Sequence, residues 1–130
     1  MCRYSTAWLA RAVPDDGKVT TLELNPHHVK VATENLTDAG LIHKVDIILG
    51  PASETLENLS PSPAPFDMVF IDADKEGNVA YYNHAKRLLR KGGIIVRCFL
   101  FPTFRWNTVS LTFVIPRSST MSYSVAGYQT

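Results

Sequence analysis

The stretch Phe66-Asp67-Met68-Val69-Phe70-Ile71-Asp72-Ala73-Asp74-Lys75 passes abruptly from apolar to ionisable. Met68 to Ile71 is an apolar run with the length and composition of a buried strand. Asp72, Asp74 and Lys75 follow at its carboxyl end. In open α/β sheets ligands bind in the crevice beyond the strand ends. Three ionisable groups in that place are either a site or an ordinary solvated turn, and only the flanking sequence can decide between them.

Upstream, residues 5–12 read as a short helix that Ser5 or Thr6 can cap, with Trp8, Leu9 and Ala12 at roughly helical spacing. Pro14-Asp15-Asp16-Gly17 is a turn, and Val19 to Leu24 is a β-branched and aliphatic strand. Asn25-Pro26 supplies an N-cap and a first-turn proline for a helix whose Val29, Ala32, Leu36 and Ala39 share a face and which Gly40 closes. Lys44 to Leu49 is a second strand, and Gly50-Pro51 turns into a helix carrying Ala52, Leu56 and Leu59 inward. The prolines of Ser60 to Pro65 stop that helix and make an extended connector. Downstream of Lys75, a helix is expected from Asn78 to Arg90, with Val79, Tyr82, Ala85 and Leu89 buried and Gly92 ending it. Gly93 to Val96 begins another strand. Helix and strand thus alternate throughout, which predicts an α/β fold: a Rossmann-like, doubly wound, mainly parallel sheet with helices on both faces.

From Arg97 the pattern changes. Residues 1–96 read as one partial domain, and 97–130 as a divergent tail. In that tail Thr108 to Ile115 alternates loosely as a further strand, antiparallel at an edge or, as the alternative, supplying a strand that repairs the sheet, and Ser118 to Thr130 is polar and frayed.

Composition narrows the classes. The chain has 130 residues and a formal net charge of +1, which gives no electrostatic case for nucleic acid or an anionic membrane. Cys2 and Cys98 form neither a disulfide framework nor a metal-ligand spacing, so a reduced, cytoplasmic setting is expected. The longest apolar tract, Ile94 to Phe101, is interrupted by Arg97 and is too short to cross a bilayer. His27, His28, His43 and His84 are scattered and read as surface or satisfied histidines.

Three strand ends carry candidate groups. Glu23 ends the first strand, where an acid in a doubly wound fold accepts hydrogen bonds from ribose hydroxyls. Gly50-Pro51-Ala52 is a tight turn that brings backbone close to a ligand. The third end is Asp72-Ala73-Asp74-Lys75. Together with Tyr4-Ser5-Thr6, Leu22-Glu23-Leu24-Asn25, Gly50 to Leu56, Tyr81-Tyr82 and Leu88 to Gly93, these pieces resemble the core of class I S-adenosylmethionine-dependent O-methyltransferases. The group most similar is the cation-dependent one of caffeoyl-CoA and catechol O-methyltransferases.

The resemblance implies roles. Ser5 would touch the methionine part of S-adenosylmethionine, Glu23 would hold its ribose, Ala52 would lie against its adenine, and Asp74 would lie beside it. Asp72 would ligate a divalent cation such as Mg²⁺ while lying in the cofactor site, and Lys75 would take the proton of the acceptor hydroxyl. The acceptor would be a small catechol- or phenol-type molecule, and a homodimer is a further expectation. Methyl transfer from a sulfonium is an in-line displacement governed by positioning, and it needs a deprotonated acceptor.

Two features depart from the family pattern. Only Met1-Cys2-Arg3 precede Tyr4, so the sheet is expected to lack the family's first strand and its glycine-rich turn. Cys98 and Phe99 stand where the family completes its metal site with an Asp-Asn pair. Phe99 cannot ligate a hard cation and a thiolate prefers softer metals. A second reading therefore stands beside the first: an inactive remnant that binds nucleoside or acts through protein contacts. A third, a nucleotide-binding or receiver-like module, is disfavoured because no phosphate-binding glycine loop is present.

Overall fold

A computed structural model describes residues 2–60, 65–72, 77–97 and 110–115. In chain order these residues form α1 (Cys2–Ala12), β1 (Lys18–Glu23), α2 (Pro26–Asp38), a 3-10 turn (Ile42–Lys44), β2 (Val45–Leu49), α3 (Ala52–Asn58), β3 (Phe66–Asp72), α4 (Asn78–Leu88), β4 (Leu89–Arg97) and β5 (Ser110–Ile115). The expected alternation is present, and the fold is a mixed α/β sheet with helices on its faces.

The strands form one sheet in the order β2-β1-β5-β3-β4. β1 runs parallel to β2, and β3 runs parallel to β4. β5 lies between these parallel pairs and runs antiparallel to both β1 and β3. Of the two expectations for the tail strand, an edge and a repair of the sheet, the second holds: β5 takes the middle. The gap foreseen there, where a first strand and glycine-rich turn were expected to be missing, is occupied by β5. The physical reason is pairing. Without a neighbour, β1 and β3 would each bury a row of unpaired N–H and C=O groups, at about 1–3 kcal/mol per group. An alternating, β-branched segment can satisfy both rows at once.

Side chains alternate between two cores. On one face Leu22, Val69 and Ile71 pack with Ala52 and Leu56 of α3 and with Tyr81, Ala85 and Leu88 of α4. On the other, Val19 and Val45 pack with Ala10 and Val13 of the α1 end and Leu36 of α2. Two clamps tie the layers together. Lys44 donates from Nζ to the Val13 carbonyl at 3.1 Å and pairs with Asp15 at 3.0 Å. Arg87 of α4 donates to the carbonyls of Leu56 and Leu59, at 2.7 and 3.2 Å, at the C-terminal end of α3.

Several local expectations are corrected. α1 begins at Cys2, so Ser5 and Thr6 lie inside it rather than capping it. Its buried stripe is Thr6, Ala10 and Val13, while Trp8 is half-exposed and Ala12 is exposed. Helix α4 buries Tyr81, Ala85 and Leu88, so its inward face is rotated away from Val79 and Tyr82, which are exposed. It ends at Leu88, because the chain turns straight into β4. Gly92, expected to end that helix, lies within β4 at φ 77. There β4 advances from Leu89 to Ile94 while β3 advances only from Phe66 to Met68, a bulge in the pairing.

Candidate active site

The connections define where a ligand can bind. From β1 the chain passes through α2 to β2 on one side. It then returns through α3 to β3 on the other side of β5, and continues outward through α4 to β4. The direction of winding therefore reverses between β1 and β3. A crevice outside the carboxyl ends of the strands at such a reversal is where doubly wound folds bind nucleosides.

Side chains already singled out in the sequence line this edge. The register sets Leu49 beside Glu23, Glu23 beside Ser110 and Ser110 beside Asp72. Glu23, at the end of β1, is 5% exposed. Its Oε1 accepts a hydrogen bond from the Asn25 backbone N–H at 3.0 Å, and Nδ1 of His28 lies 3.5 Å from the same oxygen. The local sequence explains this arrangement. Asn25 caps α2 by accepting from the His27 N–H at 2.9 Å, and Pro26 opens the helix. The turn folds the Asn25 N–H back onto the acid. His28 then stands in the first helical turn, the place from which a side chain reaches back towards residues before the cap.

The second strand end is joined to the first. Gly50, at φ 150, donates its N–H to the Glu23 carbonyl at 3.0 Å. Only glycine holds that conformation without strain. The turn delivers Ala52 as the first residue of α3, buried with 6% exposure. Leu24 and Leu49, each about half exposed, put apolar surface at the same edge. Asp72 closes β3 and is partly buried. Ser5 is partly buried in the N-terminal part of α1. Its neighbour Thr6 is 3% exposed, and its hydroxyl has no hydrogen-bond partner among the described residues.

Glu23, Asp72 and the Ala52 turn are thus brought to the carboxyl edge around the winding reversal. Asp74 and Lys75 lie outside the described residues, as do Cys98 and Phe99. Gly77 is the first described residue after this stretch. A Cβ there would come within 2.4 Å of the Tyr81 ring, so a close approach by that ring, not a special φ, requires glycine at this position. His28 was read from sequence as a surface or satisfied histidine, with no partner named for it. The signal that finds it is its place in the turn after a strand-end acid and an Asn-Pro cap.

The residues fit a nucleoside cofactor: a buried carboxylate held at the winding reversal, a close backbone turn, and apolar surface beside them. Among the described residues no group of three or more His, Cys, Asp or Glu side chains could hold a metal ion. Asp72 stands at this edge, while Asp74, Cys98 and Phe99 lie outside the described residues, so no step below is routed through a metal.

Fold and edge together define a doubly wound protein whose sheet winding reverses between β1 and β3. The comparisons with known proteins then place it: residues 1–103 match the family model described as O-methyltransferase, and the chain belongs to that family. It is 52% identical to a catechol O-methyltransferase of Mycobacterium tuberculosis over 93 residues, 72% of this chain and 41% of that protein. It is 48% identical to a catechol O-methyltransferase of Niastella koreensis, over 72% of this chain and 42% of that protein. The chain therefore spans about two fifths of the length of these relatives. Among solved structures it resembles cofactor-bound Rv0187 from M. tuberculosis, with a TM-score of 0.68 and 51% identity over 72% of this chain and 42% of that one. It also resembles the O-methyltransferase TomG of Streptomyces achromogenes in complex with SAM, with a TM-score of 0.72 and 28% identity over 87% of this chain and 68% of that one. Among the described residues no helix is long and apolar enough to cross a membrane.

Proposed function

We propose that the chain carries the cofactor crevice of an S-adenosylmethionine-dependent O-methyltransferase that acts on a hydroxyl of a small catechol- or phenol-type acceptor. The observation that carries this reading is the buried Glu23 carboxylate at the carboxyl edge of β1, one register step from the central strand and two from Asp72. The identity to catechol O-methyltransferases supports the reaction class.

The bound cofactor would supply an electrophilic methyl group on a sulfonium. The chain's own residues bind and orient. Glu23 takes the ribose hydroxyls, with its carboxylate oriented by the Asn25 N–H and the neighbouring His28. The backbone at Ala52 lies along the adenine. Ser5 meets the methionine end, and Asp72 and Asp74 flank the reacting region. Lys75 takes the proton from the acceptor hydroxyl, because a neutral phenol is a poor nucleophile. The acceptor is a small molecule rather than a nucleic acid, in keeping with a formal net charge of +1. The chain is proposed to work in the cytoplasm as a homodimer.

A second reading, an inactive nucleoside-binding remnant, is favoured by one observation: Cys98 and Phe99 stand where the family pattern completes its metal site with an Asp-Asn pair. Calorimetry with S-adenosylhomocysteine, followed by a methylation assay on catechol, separates the two. Binding with product supports the enzyme, and binding without product supports the remnant. No binding to the folded chain overturns both. Glu23→Gln is expected to weaken binding about tenfold to hundredfold, the loss of charged hydrogen bonds worth about 1.5–3 kcal/mol. Unchanged affinity would remove Glu23 from the site.

A further inference from the structure

β5 is the one strand among those described that starts, rather than ends, at the ligand-binding edge of the sheet. Its first residue, Ser110, pairs with Glu23 on one side and with Asp72 on the other. The two acids do not pair with each other; Ser110 stands between them. Neighbouring strands lie about 4.8 Å apart, so the backbones at Glu23 and Asp72 are separated by about 10 Å, with Ser110 at the midpoint. The winding of the sheet reverses between β1 and β3, and β5 fills that position. A ligand that reaches from Glu23 to Asp72 has to cross the start of β5.

From this juxtaposition of Ser110 with Glu23 and Asp72 we infer that Ser110 is a further cofactor-binding residue, placed under the link between the ribose and the amino-acid arm of an adenosyl sulfonium ligand. The inference rests on the reading of the crevice as an S-adenosylmethionine site. It adds a residue that no strand-end pattern in the first part of the chain points to, because Ser110 comes from the segment after β4 and reaches the site by running against the other strands. It also assigns β5 a second role: the strand that completes the backbone pairing of β1 and β3 also floors the crevice. Serine suits such a place, being small enough to let a ligand lie close to the backbone.

Ser110→Trp in the full chain, titrated with S-adenosylhomocysteine, tests this. Affinity is expected to fall at least tenfold, with the far-ultraviolet circular dichroism and the melting temperature of the unliganded protein close to those of the parent chain. Wild-type affinity in the Trp variant overturns the assignment. If the bulky variant does not fold, thiol labelling replaces it. S110C and I115C are each made in a chain whose Cys2 and Cys98 are replaced by Ser, and their labelling rates are measured with and without S-adenosylhomocysteine. Ile115 pairs with Lys18 at the opposite end of the strand. Protection of the thiol at position 110, with that at 115 unchanged, supports contact. Protection of both means that the ligand only orders the strand, and protection of neither means that Ser110 lies outside the site; each overturns the inference. A parent chain that binds no S-adenosylhomocysteine sinks the site reading itself and the inference with it. A parent that binds while both Ser110 tests are negative sinks the inference alone.

Discussion

Thr6 carries the clearest mismatch between a residue and its surroundings. Its hydroxyl is buried on the α1 stripe that faces the sheet and has no hydrogen-bond partner among the described residues. A buried hydroxyl left unsatisfied costs about 1–3 kcal/mol. Thr6→Val keeps the β-branched shape and removes the unsatisfied group, so it is expected to raise the stability of the unliganded chain by about 1 kcal/mol in urea unfolding. A loss of stability instead would mean that the hydroxyl has a partner in solution. Asp15 makes a prediction about acidity. Its carboxyl is held below the ordinary carboxylate value, first by the hydrogen bond from Lys44 and then by that ammonium's charge. A carboxyl more acidic in the folded chain than in the unfolded one stabilises the fold above its unfolded value, and the contribution is lost as pH falls through the folded value. Asp15→Asn should therefore lower the urea midpoint near neutral pH, and the difference from the parent should close in strong acid. The place of Glu23 at a strand end was legible from the Asn-Pro cap that follows it, but its burial was not, because alone the acid reads as an ordinary exposed Glu near a helix start. His28 was not legible, because its relation to Glu23 exists only once the cap has turned the chain.

Among the elements, α3 depends most on help from outside. It is short, opens on Pro51 with no side-chain cap, and has no basic residue in its last turn. The charge its C-terminal end favours comes from α4, through Arg87 and its bonds to Leu56 and Leu59. Arg87→Met is expected to cost about 1–2 kcal/mol of stability by denaturant unfolding and to weaken cofactor binding as well, since α3 begins at Ala52. A variant that loses neither would show that α3 holds its place without the clamp. Most element boundaries were visible in the sequence where a cap or turn marked them, as at Asn25-Pro26 and Gly50-Pro51. The α4–β4 junction was not, because Arg90 and Lys91 suit a helix end as well as a strand. In the fold Arg90 pairs with Asp67 across the bulge, which draws the segment into β4.

For the molecule as a whole, the sequence showed the alternating α/β plan but left its centre undecided. Loose alternation in the tail marks a strand and says nothing about its neighbours. The middle position follows from the needs of β1 and β3, which are far away in the sequence. That dependence can be measured. Thr112 pairs with Thr21 on one side and Phe70 on the other. Thr112→Pro removes a ladder donor at the centre of the sheet and is expected to cost about 3 kcal/mol or more, read as a fall in the thermal midpoint. A midpoint that does not move would mean that the two parallel pairs hold together without β5.

The place of β5 also sets an order of events while the chain is being made. A ribosome releases β1, β2, β3 and β4 before β5, and every partner of β5 is waiting before it emerges. Until Ser110 to Ile115 leave the exit tunnel, the nascent chain holds two half-sheets, each with an inner edge open to pairing with other chains. Closure then joins Lys18 to Ile115 across most of the described length, a contact of high sequence separation and correspondingly slow formation. Among the described strands the keystone is the last to arrive, and the interval before it arrives is when the two inner edges stand open to mispairing.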